Sequence, residues 1–245
     1  MKTFILLSIH VLSQSLMAQT PIQKSITVQQ GQTISMHFDY PELIRVSTWE
    51  KNEISIQGTV SINGGENDDA FELQLATSGN VVTVRNEIKD MKNLPHRITV
   101  VDGAKKLVFK NKEDWKKYQA EHGKGNYTME SYGTDMEILL EIKVPRNFQT
   151  SIKSVYGMVE VKQFYGPLTV VSTYGGVDAA LSEKNIGVLT AETNFGEIFS
   201  NLNTRFGDST NRDENFHTVV SAKPGNGPAY NFESKYGNVY LRKAN

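Results

Sequence analysis

The stretch SVYGMVEV, residues 154–161, returns three times further along the chain: STYGGVDA (172–179), TNFGEIFS (193–200) and SKYGNVYL (234–241). The shared word is Ser/Thr–x–aromatic–Gly–x–Val/Ile. Its hydroxyl markers stand 18, 21 and 41 residues apart, the last interval about double the others. A period near 20 residues marks coils of chain stacked on one another, because a unit that short buries its apolar face only against copies of itself.

The columns around the marker support two strands per repeat. Five and seven residues after it stand Val159, Val177, Ile198, Val239 and Val161, Ala179, Ser200, Leu241. Two and four residues before it stand Ile152, Val170, Ala191, Phe232 and Thr150, Leu168, Leu189, Tyr230. The column between these, Ser151, Thr169, Thr190 and Asn231, is polar. Alternation of this kind gives each strand one inward and one outward face. The spacing of five breaks the alternation at Gly157, Gly175, Gly196 and Gly237, which are expected to bend the chain through backbone angles closed to other residues. Tyr156, Tyr174, Phe195 and Tyr236 are then expected to form one ladder, in chain order, at about 4.8 Å per rung.

Earlier, between residues 22 and 100, short alternating runs separated by Gln30-Gly31, Asn63-Gly64-Gly65 and Ser78-Gly79-Asn80 predict an antiparallel layer. Residues 111–122 predict one short helix, with Asn111 as cap, Glu113 and Asp114 in the first turn and Gly123 after the end. Only Trp115, Tyr118 and Ala120 offer it an anchor, so it reads as a surface insertion. Residues 136–144 alternate again, and Pro145 ends that strand. The irregular segment 204–227 fits either one further degenerate coil or a protruding hairpin around residues 217–221; the absence of aligned apolar columns favours the hairpin.

The resulting organisation is a signal peptide at 1–18, a β region with its helical insertion at 19–145, and stacked repeats at 146–245. The fold class expected is all-β, with a β-solenoid or single-stranded-coil β-helix at the C-terminal end, preceded by antiparallel strands. Lys2, the apolar run 4–12 and Ala18 have the pattern of an export signal, too short to span a bilayer. Export would place the protein in the periplasm, on the cell surface or outside the cell. No later stretch is apolar enough for a membrane-spanning helix. With no cysteine, disulfides, thiol catalysis and Cys-ligated metals are excluded. A net charge of −1 gives no basic footprint for nucleic acid.

On these residues the chain resembles the bacterial putative-adhesin domains of unknown function, an exported family built of β-strand repeats. The first half of that family's theme matches 154–159, 172–177, 193–198 and 234–239; the second half, G–x–L–x–V, matches 166–170 and 187–191. The resemblance covers about residues 136–241. It implies a single-sheet-like β-solenoid, export and a role in surface interaction, and brings no catalytic residues. The insertion near Trp115 departs from the family's simplest pattern.

Candidate site residues are few. Six positions after the marker an outward column holds Glu160, Asp178, Phe199 and Tyr240. Stacking would put the two carboxylates one rung apart, the arrangement of a retaining glycosidase pair, beside two aromatics that suit a sugar platform. No convergent acid, base or cation accompanies them, so ordinary polar surface is the stronger reading. His37, His96, His122 and His217 lack metal-ligand spacing, and no G-x-S-x-G elbow is present. The loop 64–69 holds acidic oxygens but lacks the order of a calcium loop. Residues 105–124 carry seven lysines against three acids, a patch suited to anionic lipid or polysaccharide or simply to solvent. No cofactor or metal site is expected. The sequence reading is a non-enzymatic interaction or scaffolding protein of the cell envelope, with an envelope protein or glycan as partner. The alternatives are a polysaccharide-acting enzyme using Glu160 and Asp178, and a periplasmic accessory or sensor protein.

Overall fold

The structure is a computed structural model and describes residues 19–123, 125, 127, 129–207 and 216–244. The expected signal segment 1–18, Lys124 and residues 208–215 lie outside these. The first six strands are β1 (Thr20–Thr27), β2 (Thr33–Phe38), β3 (Leu43–Trp49), β4 (Glu53–Ile62), β5 (Phe71–Ser78) and β6 (Val81–Ile88). Next come β7 (Arg97–Asp102), β8 (Lys105–Phe109), helix α1 (Lys112–His122), β9 (Met129–Gly133) and β10 (Met136–Pro145). The repeat words contribute β11 (Thr150–Ser154) with β12 (Met158–Lys162), β13 (Leu168–Ser172) with β14 (Val177–Leu181), and β15 (Val188–Thr193) with β16 (Ile198–Ser200). Then β17 (Thr218–Ala222) precedes the last pair, β18 (Ala229–Ser234) and β19 (Val239–Lys243).

Among the described residues the chain is mostly β, with one α-helix. Two eight-stranded mixed sheets run β1-β4-β10-β3-β12-β14-β19-β16 and β17-β15-β18-β13-β11-β2-β6-β5, and a small sheet runs β8-β7-β9. Residues from both large sheets form one continuous core between them. The inward columns fall where the alternation puts them: Val159, Val161, Ile152, Val170, Val177, Ala179, Ala191 and Val239 are completely buried. Each valine or isoleucine among them contributes about 1.5–3 kcal/mol relative to exposure.

Three expectations need correction. The first concerns chain order. The words of residues 154 and 172 are neighbours, Thr150–Ser154 facing Leu168–Ser172 in parallel register. The next neighbour, however, is the last word: β18 pairs with β13 and β19 with β14. The word at 193 lies beyond it, through β15–β18 and β16–β19. The spatial order is therefore 154, 172, 234, 193. Ser200, placed inward by its column, is exposed because β16 is an open edge.

The second concerns the N-terminal layer. Antiparallel pairs are present at β1–β4, β4–β10 and β5–β6. Yet β2 runs parallel to β11 and to β6, and β3 runs parallel to β12 and to β10. Phe38 faces Ser154 and Ile44 faces Val159, so residues 38–44 form another corner of the same kind, with one extra residue. Residues 89–135 leave at the corresponding corner between β6 and β10 and build the small sheet and α1. That insertion has its own small core of Ile98, Val100 and Trp115, and Asn111 caps α1 by accepting from the Glu113 and Asp114 amides at 2.9 Å each.

The third concerns the four glycines. None has a positive φ. Their requirement is room: a methyl on Gly175 would lie 2.5 Å from the Gly157 carbonyl carbon, and one on Gly196 2.6 Å from that of Gly237. Each glycine lets one rung's backbone sit against the carbonyl of the next.

As for the irregular segment, β17 is the edge strand of its sheet and returns antiparallel along β15.

Candidate interaction surfaces

The corner word builds a rigid ridge. Ser154, Ser172, Thr193 and Ser234 are buried, and their hydroxyls serve the glycine carbonyls and amides. Ser234 Oγ donates to Gly175 O at 2.8 Å and accepts from Gly237 N at 3.0 Å. Thr193 Oγ1 donates to Gly237 O and accepts from Gly196 N, both at 3.0 Å. The two requirements of the word thus explain each other: the glycine permits close approach, and the hydroxyl satisfies the polar groups that approach would bury.

Outside this seam the aromatics stand in file. Tyr156–Tyr174, Tyr174–Tyr236 and Tyr236–Phe195 have centroids 5.3, 5.1 and 5.1 Å apart, with planes within 12° of parallel. Tyr40 extends the file at one end, 6.2 Å from Tyr156, and Phe216 at the other, 6.0 Å from Phe195. The four repeat aromatics remain 52–58% exposed. Their faces are spent on one another, so the ridge offers ring edges and phenol groups to solvent. Tyr40 was concealed in the sequence by Phe38 at the marker position and Pro41 in place of glycine.

The outward column runs the breadth of the other sheet. By register it reads Glu141, Arg45, Glu160, Asp178, Tyr240, Phe199. Glu160 and Asp178 are direct neighbours, as expected, and Phe199 stacks on Tyr240 at 5.2 Å. Arginines missed in the sequence occupy both carboxylates. Arg45 Nε donates to Glu160 at 2.9 Å, and Arg242 Nε to Asp178 at 2.7 Å. Partial burial pushes the Glu160 carboxyl up, but hydrogen bonds and charge from Arg45 and Lys162 outweigh it and hold it below the ordinary carboxylate range. A general acid needs the opposite shift.

The remaining candidates separate. Asp68 accepts from the Ile62 amide at 2.6 Å, while Glu66 turns to Arg97 and Lys110 at 2.7 and 2.6 Å. The acidic loop therefore does not converge, and among the described residues no group of three or more His, Asp or Glu does. Of the lysine patch, Lys106 is held between Asp135 and Glu137 at 2.7 Å each and Lys110 by Glu66. Lys105, Lys112, Lys116 and Lys117 are exposed. His37 pairs with Asp39 and His217 with Glu192, whereas His96 contacts Tyr132 and His122 contacts Tyr118. No helix among the described residues is long and apolar enough to cross a membrane.

No family model matches the chain, and no curated protein does. Two solved structures are similar to it over most of their length. One is described as a putative cell adhesion protein from Clostridium sporogenes, 11% identical, with a TM-score of 0.46, covering 91% of this chain and 100% of its own. The other is described as a putative adhesin from Bacteroides fragilis, 12% identical, with a TM-score of 0.27, covering 92% of this chain and 98% of its own.

Proposed function

We propose that the chain is an exported, adhesin-like scaffold of the cell envelope, a β-solenoid-type stack of strand pairs that acts by display rather than by catalysis. The observation that carries this reading is the aromatic ridge. Beyond what their stacking contributes, four large rings held more than half exposed in one file on a rigid support suit a recognition surface. Against the glycan-hydrolase alternative stand Arg45 and Arg242, which engage Glu160 and Asp178 at 2.9 and 2.7 Å, so that neither carboxyl of the pair stands free to meet a glycosidic oxygen or an anomeric carbon. The test is binding of the purified protein to isolated bacterial envelopes, wild type against a Tyr174→Ser/Tyr236→Ser variant. Saturable binding lost in the variant supports the ridge. Equal binding by both removes it, and turnover of an envelope polysaccharide lost in Glu160→Gln would replace display with catalysis.

A further inference from the structure

At the corner opposite the aromatic ridge, three loops converge around a basin of about 400 Å³: β1–β2 through Gln32, β3–β4 through Trp49, and β10–β11 through Arg146. The volume lies in the range of small-molecule sites. The basin is built rather than incidental. Trp49 is fixed by its indole N–H, which donates to Glu53 O at 2.7 Å, and the Arg146 amide donates to Trp49 O at 3.1 Å. The Arg146 guanidinium lies 4.4 Å over the Tyr165 ring and pairs with Glu50 at 2.7 Å. Asn147 holds a left-handed φ of 65°, its amide donating to Tyr165 O at 2.9 Å.

What this frame presents is chemically specific. Asn52, Asn147 and Gln149 line the basin, and their side-chain amides make no hydrogen bond to another described residue. Planar amides offer a donor and an acceptor side by side, which matches the neighbouring hydroxyls of a pyranose. Trp49 supplies the aromatic wall. Two ammonium groups rest against its ring, Lys51 Nζ 4.8 Å and Lys143 Nζ 5.8 Å from the centroid. Of the lining charges, Arg146 and Glu50 cancel, and the two lysines stand beside the basin on the ring of Trp49, where they supply cations at its border rather than in its lining.

We infer that this basin binds a carboxylated pyranose, the uronate-type residue of an acidic polysaccharide, with its ring on Trp49, its hydroxyls on the amides and its carboxylate drawing the Lys51 and Lys143 ammoniums off the indole. The inference deepens the display reading by naming a ligand class, and it rests on a different surface from the aromatic ridge.

The chain has two tryptophans, so its nitrogen–proton NMR spectrum holds two indole signals, that of Trp49 being identified by its loss in Trp49→Phe. Titration with methyl β-D-glucuronide should shift the Trp49 signal saturably and leave that of Trp115, in the insertion core, in place. Trp49→Ala should weaken glucuronide binding, read from the sugar's own saturation-transfer signal, by about tenfold or more. Lys51→Gln/Lys143→Gln should remove the preference for glucuronide over methyl β-D-glucoside. The inference falls if glucuronide shifts neither indole, if acetate shifts Trp49 as strongly, which would mark a plain anion site, or if the glucoside binds as well as the glucuronide. Should Trp49→Ala keep full envelope binding, the basin falls while the ridge stands. Should the Tyr174→Ser/Tyr236→Ser variant lose envelope binding but keep the indole shift, both stand.

Discussion

Replacing Gly237 by alanine tests the packing of the rungs at its tightest point. The added methyl would lie 2.6 Å from the Gly175 carbonyl carbon, closer still to its oxygen, and 3.0 Å from Ser234 Oγ. The obstacle is backbone, so no side chain can swing away. Relief requires the 172 and 234 rungs to part by about an ångström, beyond the reach of hydrogen bonds that already span 2.9–3.0 Å. Those bonds are Lys235 N to Ser172 O and Tyr236 N to Thr173 O, with Val177 N to Asn238 O on the far side of the corner. Overpacking of a rigid interior costs about 1–3 kcal/mol, and loss of the Ser234 bridges adds to it, so about 3 kcal/mol or more is expected. For a domain of this size that corresponds to a fall in Tm of roughly 10 °C. Gly133→Ala is the control, since a methyl there meets nothing within 4 Å. Urea unfolding and calorimetry of both variants provide the measurement. If Gly237→Ala is no less stable than Gly133→Ala, the glycines are not there for close approach and the account of the word is wrong.

A double-mutant cycle on ring removal tests the spatial order: Tyr174→Ala with Tyr236→Ala should show about 0.5–1.5 kcal/mol of coupling. Tyr174→Ala with Phe195→Ala, next to each other in the sequence of words but two rungs apart in space, should be additive. Asn111→Ala should cost the insertion about 1 kcal/mol, seen as faster hydrogen exchange in α1 with the exchange of β13 and β18 unchanged. Glu160, with its folded pKa below its ordinary value of 4.5, contributes stability that is fully present above that value and is lost as the pH falls through the lowered one. Tm measured against pH should therefore decline less in Glu160→Gln than in wild type on acidification, and parallel curves would show that the Arg45 pair contributes nothing.

The strand pairs, the helix with its Asn111 cap and the inward columns were legible because each rests on a local rule, period two for strands or capping chemistry for helices. The glycines were legible as a corner but not in their reason. Sequence shows that a Cβ is absent, while only the neighbouring rung shows what it would strike. The Phe38 corner escaped because its marker is apolar and carries an extra residue, so the alignment that found four words could not register a fifth. Arg45 and Arg242 escaped for a related cause. A strand column lists residues along one repeat, and the cations that neutralise Glu160 and Asp178 come from a rung outside the word pattern and from two positions further along β19.

The order of the rungs, by contrast, had a signal in the sequence that chain order hid. Among the residues seven after the marker, Val161, Ala179 and Leu241 are apolar and only Ser200 is polar. A rung buried on both sides would leave that hydroxyl facing the core, a cost of about 1–3 kcal/mol without a partner. At the open edge Ser200 meets solvent and accepts from the Leu202 amide at 3.2 Å. Leu241, 1% exposed, takes the interior place instead, and Tyr230 and Phe232 fill the volume beside Leu189 and Ala191. The final word is thus hydrogen-bonded along both edges, and the Ala244 amide donates to Leu181 O. Among the described residues, β15 and β16 pair with the parallel stack through β18 and β19, so the rung at 193 is seated on the word at 234 rather than on the word at 172 that precedes it in the chain. The word at 234 is therefore an interior rung of the repeat region, and the word at 193 is its edge.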